Sequence, residues 1–145
     1  MTRRLILLRH GQTHYNASLR MQGQLDTELS ELGIRQAHAV GRVLAPRRPW
    51  TILSSDLQRA YETAKALATE VGLDVRTDPR LRETHLGTWQ GMSHSEVDGQ
   101  WPDARVRWRS SPRWSPPEGE SRLDVARRTR EVVDELVESS PAWGE

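Results

Sequence analysis

The stretch "LILLRHGQTHYN", residues 5–16, ends an apolar run in Arg9, His10 and Gly11. Four aliphatic residues in a row with an abrupt polar end read as a short strand buried on both faces, so "RLILLRH", residues 4–10, is predicted to be a parallel strand. The glycine after it turns the chain sharply and lets backbone come close to whatever sits there. Open α/β sheets bind ligands beyond the carboxyl ends of their strands, which makes the two basic side chains at this tip candidates for chemistry.

The following segments alternate in type. "SELGIRQAHAVGRVLA" carries Leu32, Ala37, Val40, Val43 and Leu44 at near-helical spacing, with Ser30 as N-cap. "WTILSS" reads as a second strand and "LDVRTD" as a third. Between them "DLQRAYETAKALATEVG" has Leu57, Ala60, Ala64, Leu67, Ala68 and Val71 on one side and stops at Gly72, the pattern of an amphipathic helix. Strand, helix, strand, helix, strand predicts an α/β fold with a mostly parallel sheet and helices on both faces. Ser54 to Asp56 then share a sheet edge with His10.

Beyond residue 80 the periodicity loosens. Ser93 and Glu96 have capping-box spacing for a short helix, and a stretch rich in Trp, Arg and Pro follows. Pro and Ser favour disorder, but Trp89, Trp101, Trp108 and Trp114 are poor choices for a solvated linker, so residues 84–120 are expected to form an ordered, lid-like excursion. "SRLDVARRTREVVDELVESS" closes the pattern with a helix whose apolar side is Leu123, Val125, Ala126, Val132, Val133, Leu136 and Val137.

The totals narrow the function. At 145 residues the chain has the size of one domain, 1–145. Its 21 basic and 20 acidic side chains nearly cancel, which argues against a nucleic-acid partner. Lys65 is the only lysine, and arginine suits bidentate contact with phosphate or carboxylate. Without cysteine, thiolate nucleophiles and Cys-bound zinc drop out. The run Leu5 to Leu8 is too short for a signal segment or a membrane span, and a cytoplasmic protein with no membrane partner is expected.

An imidazole beside an arginine and a glycine turn suits a tetrahedral anion. Arg9 can grip nonbridging oxygens, and neutral His10 offers a ring nitrogen as nucleophile. R-H-G taken alone also reads as polar residues closing a strand. The context shifts the balance: R-H-G-x-T-x-x-N is followed by Arg59 near a helix start, whose positive end can face the same anion, and by Glu83 in "LRETHLGTWQG" after the third strand.

With these three segments in order, and "PPEGES" after them, the chain resembles the histidine phosphatase superfamily in its phosphoglycerate mutase-like branch. "RMQGQLDTELSELG" and "LRETHLGTWQGMSHSEVD" are most similar to the glucosyl-3-phosphoglycerate phosphatases within it. The resemblance implies a three-layer α/β/α fold and a phosphomonoesterase working through phosphohistidine. His10 would be the nucleophile, Arg9 and Arg59 the clamp on phosphoryl oxygens, and Glu83 the general acid and base, its pKa raised by burial beside tryptophans. Gly11, Asn16 and Gln22 would line the pocket, and Trp89, with Met92, Trp101 and Trp108, would face the substrate's alcohol or else pack the excursion onto the sheet. The two arginines make a metal unnecessary, and no cofactor is expected. The implied partner is a small phosphate ester, and a homodimer is compatible with the resemblance.

Two other functions fit the same segments, a cofactor-dependent phosphoglycerate mutase and a noncatalytic binder of phosphate esters. The second follows from one departure. The family places another histidine in a His-Gly pair on a late strand, whereas here no histidine follows His94. His14, His38, His85 and His94 are read as structural or surface residues. The expectation is a domain lacking its C-terminal strand and helix, supplied by a longer chain, rather than a repurposed protein that ends at Glu145.

Overall fold

The computed structural model describes residues 4–139. In order, the elements are α1 (His14–Ala17), α2 (Glu31–Leu44), β1 (Ile52–Ser54), α3 (Gln58–Val71), β2 (Val75–Thr77), α4 (His94–Gln100), α5 (Ala104–Ser110) and α6 (Arg122–Ser139). Short 3-10 turns cover Ala45–Arg47, Pro79–Leu81 and Gly87–Trp89.

The fold class is α/β with a parallel sheet, as the alternation predicts. β1 and β2 pair in parallel, Ile52 with Val75, Leu53 with Arg76 and Ser54 with Thr77. α3 crosses between them and buries Ala64, Leu67 and Ala68 against Ile52. It ends where expected, at Gly72 in the left-handed conformation with φ +71°. α2 starts at Ser30, whose hydroxyl accepts from Gly33 N–H.

The predicted strand 4–10 is the main departure. Among the described residues it forms no ladder, and Leu5, Ile6, Leu7 and Leu8 stand 49, 44, 83 and 40 % exposed. A cleft of about 830 Å³ separates it from β1, with Leu5 to Leu8 on one wall and Thr51 to Ser54 on the other. Val132, Val133 and Leu136 of α6 line the same cleft. The apolar run therefore has the composition of a buried strand but no neighbour close enough to pair with.

α2 corrects a second expectation. Leu32 and Val43, taken as its apolar face, are 41 and 71 % exposed, while Gly33, Ala37 and Gly41 are buried. These small residues at i, i+4 and i+8 form a stripe that admits the Gln12 backbone at Gly33 and lets α3 approach backbone to backbone at Gly41. A Cβ on Gly41 would stand 3.1 Å from the Ala66 backbone, and one on Gly33 would overlap the Gln12 carbonyl. α6 likewise buries only Val132 of its predicted apolar side, because much of that side borders the cleft.

The excursion is folded around a core of its own. Trp89 is fully buried at its centre, with Met21, Leu86, Val97 and Ala104 around it and Met92, Trp101, Trp108 and Trp114 packed outside. Trp108 meets Trp89 edge-on with centroids 6.1 Å apart. Met21 brings the N-terminal region into this core, and its backbone exchanges hydrogen bonds with Gly91 and Met92. No helix among the described residues is long and apolar enough to cross a membrane.

The glycine stripe gives a direct test. Gly33→Ala is expected to lower stability by about 1–3 kcal/mol, as overpacking does. Gly99→Ala, in a helix and with nothing within 4 Å of an added Cβ, is expected to be neutral or stabilising. Urea unfolding of both variants checks the contrast, and an equal response would disprove the close approach.

Candidate active site

The cleft gathers the residues that the sequence singles out. Arg9, His10, Arg59 and Glu83 all line it, and they come from three separate segments. His14, His38, His85 and His94 do not. Each candidate is held by contacts that explain its placement.

His10 Nδ1 lies 2.6 Å from the Gly11 carbonyl oxygen. A carbonyl only accepts, so Nδ1 carries the proton, and Nε2 is left with a free lone pair. Burial is the largest influence on the ring and disfavours the imidazolium. The Gly11 bond opposes it, and the positive charges of Arg59 and Arg9 reinforce it, so the pKa falls below the ordinary histidine value. The result is a neutral imidazole with an available nitrogen.

Gly11 serves a different purpose from the one expected. It is buried, its N–H donates to Thr63 Oγ1 at 3.1 Å, and a Cβ there would overlap the Gly33 carbonyl. Its smallness is used against α2 rather than towards a ligand. Thr63, which the sequence reading passed over, also donates to the Arg59 carbonyl at 2.7 Å. One hydroxyl thus ties the turn after His10 to the helix that carries Arg59. Its spacing of four from Arg59 was the available signal.

Arg59 is 1 % exposed. Its Nη1 donates to the Leu25 carbonyl at 2.7 Å and to Thr27 Oγ1 at 3.4 Å, and its Nη2 donates to the Gly23 carbonyl at 2.6 Å. Among the described residues no carboxylate forms a salt bridge with it. A buried guanidinium held only by neutral acceptors keeps much of its field for an incoming anion. The helix start contributes less than anticipated, because the Gln58 N–H at the head of α3 donates to Asp26 Oδ1 at 2.8 Å.

Glu83 sits on a turn anchored from three sides. Arg82 forms a bidentate pair with Asp56 just ahead of α3. Gln24 Nε2 donates to the Glu83 carbonyl at 3.1 Å. Arg128 of α6 donates to the carbonyls of Arg80, Arg82 and Glu83 and to both oxygens of Glu120, of which Oε2 also accepts from the His85 N–H. No local pattern in the sequence marks Arg128, since the carbonyls it holds lie 45 to 48 residues away. The carboxylate itself is exposed and accepts from the Thr84 N–H at 2.7 Å. The burial beside tryptophans expected for it is absent.

Asn16 and Gln22 do not line the cleft but form a second polar group, joined to Arg59 through Thr27. Thr13 N–H donates to Asn16 Oδ1 at 3.0 Å in a capping box at the start of α1. The Thr13 and Thr27 hydroxyls each lie 2.6 Å from Gln22 Oε1. Trp89 does not join them. Its complete burial in the excursion core prevents contact with a substrate, and Met92, Trp101 and Trp108 pack against it.

Residues 5–143 match the model of the histidine phosphatase superfamily (branch 1). The chain belongs to this superfamily. A glucosyl-3-phosphoglycerate phosphatase of Mycobacterium tuberculosis is 60 % identical over 142 residues, 98 % of this chain and 64 % of its own length. The solved structure of a mycobacterial glucosyl-3-phosphoglycerate phosphatase in complex with VO3 superposes with a TM-score of 0.97 at 59 % identity, covering 99 % of this chain and 68 % of that one. A probable phosphoglycerate mutase of Yersinia pestis is 41 % identical over 135 residues, 91 % of this chain and 62 % of its own. The chain thus spans under two thirds of the curated relatives it matches. Membership explains why the R-H-G turn, the arginine-bearing helix and the glutamate turn converge on one cleft.

The depressed pKa of His10 is open to measurement. An NMR titration of the imidazole nitrogens is expected to show a midpoint below 6.5, with the Nδ1–H tautomer above it. A midpoint above 6.5 would contradict the burial and the arginine fields.

Proposed function

We propose that this chain carries the phosphoryl-accepting site of a phosphomonoesterase acting on a small phosphate ester, with glucosyl-3-phosphoglycerate as the first candidate substrate. The observation that carries this reading is His10, its Nδ1 engaged by Gly11 and its Nε2 free, in a cleft shared with Arg9, Arg59 and Glu83. The relatives named above supply the candidate ester. The greater likeness to the phosphatases than to the mutase favours hydrolysis over transfer.

The chemistry balances with these groups alone. His10 Nε2 attacks phosphorus, the bond to the ester oxygen breaks, and that oxygen takes the electron pair and a proton from the Glu83 carboxyl. The Glu83 carboxylate then removes a proton from water, whose oxygen attacks phosphorus as the P–N bond returns its electrons to Nε2. Arg9 and Arg59 hold the phosphoryl oxygens through both steps, stabilising charge where it develops.

The cleft is also the reason to expect further polypeptide in the working enzyme. Two apolar walls, one with unpaired backbone, suit an additional β-strand between them. A second histidine for the phosphate pocket belongs on such a strand in the family's pattern. The third of the relatives' length that this chain does not match is its natural source.

Brief incubation with a phosphorus-labelled ester followed by denaturation tests the assignment. An acid-labile phosphoenzyme is expected, and His10→Ala should lose it. Persistence in that variant would remove His10 from the mechanism. Glu83→Gln is expected to slow alkyl esters about 10²–10⁴-fold while sparing activated aryl phosphates. Equal losses on both would make Glu83 a structural residue.

A further inference from the structure

Gln22 makes hydrogen bonds that fix which end of its amide is left for a ligand. Arg59 Nη1 can only donate, so the Thr27 hydroxyl, 3.4 Å away, accepts from it. The single Thr27 proton then has Gln22 Oε1 as its acceptor at 2.6 Å, a length typical of O–H to oxygen rather than N–H to oxygen. Thr13 repeats the arrangement. Its hydroxyl accepts from the Asn16 backbone N–H at 3.1 Å and stands 2.6 Å from the same Gln22 oxygen. Its other neighbour, Asn16 Oδ1, is more distant at 3.0 Å and already accepts from Thr13 N–H.

Both relays begin at a group that can only donate, and both end on Gln22 Oε1. The carbonyl end of the amide is therefore occupied twice. The Nε2 end makes no hydrogen bond among the described residues, and the same holds for Asn16 Nδ2, whose Oδ1 is taken by the cap. The Gln22 amide, linked to Arg59 through Thr27, thus presents its donor end, the polarity that a phosphoryl group requires.

We infer that Thr27 is a positioning residue, which passes the orientation of Arg59 through its hydroxyl to Gln22 and holds the Gln22 NH2 as a donor for the bound phosphoryl group. Without the Thr27 hydroxyl only Thr13 holds the Gln22 oxygen, and the amide rotates more readily to set that oxygen against the anion. This inference rests on the phosphate-site reading of the cleft. Thr27 lies in the loop between α1 and α2 and is only partly buried, so its substitution spares both hydrophobic cores.

The test uses inorganic phosphate and orthovanadate as probes, with calorimetric titration of the unsubstituted chain, Thr27→Val and Thr27→Ser. Valine keeps the shape and removes the hydroxyl, and it is expected to weaken binding about 10- to 100-fold, the loss of one hydrogen bond to a charged group. Serine restores the hydroxyl and should recover most of the affinity. In parallel, the Gln22 side-chain carbonyl carbon, observed by NMR without ligand, should shift upfield in Thr27→Val and not in Thr27→Ser. Equal affinity and an unmoved Gln22 resonance in the valine variant would overturn the positioning role. Failure of the unsubstituted chain to bind either anion would instead overturn the phosphate-site reading, while the Gln22 resonance would still decide whether the relay exists.

Discussion

The site depends on the contact between the turn at Gly11 and the head of α2 at Gly33. Neither residue tolerates a Cβ there, because each would overlap the other strand of backbone. This close approach sets the turn down on the helix pair, and the Gly11 N–H bond to Thr63 fixes its distance from α3. His10 and Arg9 are thereby held facing Arg59, although the segment that precedes them has no strand partner among the described residues. The position of His10 comes from a glycine contact and one threonine rather than from a sheet.

Arg59 shows how one side chain organises structure and keeps its charge uncancelled. Its two terminal nitrogens pin the carbonyls of Gly23 and Leu25, which keeps the 23–27 loop against α3. The charge is not cancelled by a carboxylate in direct contact, so its long-range field acts on His10 and disfavours the imidazolium. A buried cation with neutral partners carries a desolvation penalty, of the kind that a paired anion relieves. Glu83, opposite in sign, is kept in the same cleft by the Arg128 bridge to its backbone.

Much of this was legible in the sequence, for physical reasons that differ by element. The β1, α3, β2 unit follows from local periodicity and from Gly72, and residues within it satisfy one another. His10, Arg9, Arg59 and Glu83 were legible because their chemistry is rare in that order at strand and helix ends. The segment 4–10 was not, since its composition reports the environment of a completed sheet and the cleft beside it removes that environment. Of the expected α2 face only Ala37 is buried with its neighbours on the stripe, Gly33 and Gly41, because close packing there uses small residues rather than large apolar ones. Trp89 misled for the opposite reason: an aromatic near a catalytic motif suggested contact with substrate, whereas its partners Met21 and Val97, far apart in sequence, enclose it. Arg128 and Thr27 each join a near neighbour, Glu120 or Gln22, to groups more than thirty residues away, beyond any local pattern.

The central claim is that the Gly11 carbonyl holds the proton on Nδ1 and leaves Nε2 to take the phosphoryl group. Phosphorus and nitrogen NMR of the trapped phosphoenzyme distinguishes the two ring isomers directly. The account predicts phosphorus bonded to His10 Nε2, with Nδ1 still protonated and bound to Gly11. Phosphorus on Nδ1, or on any other residue, would contradict it.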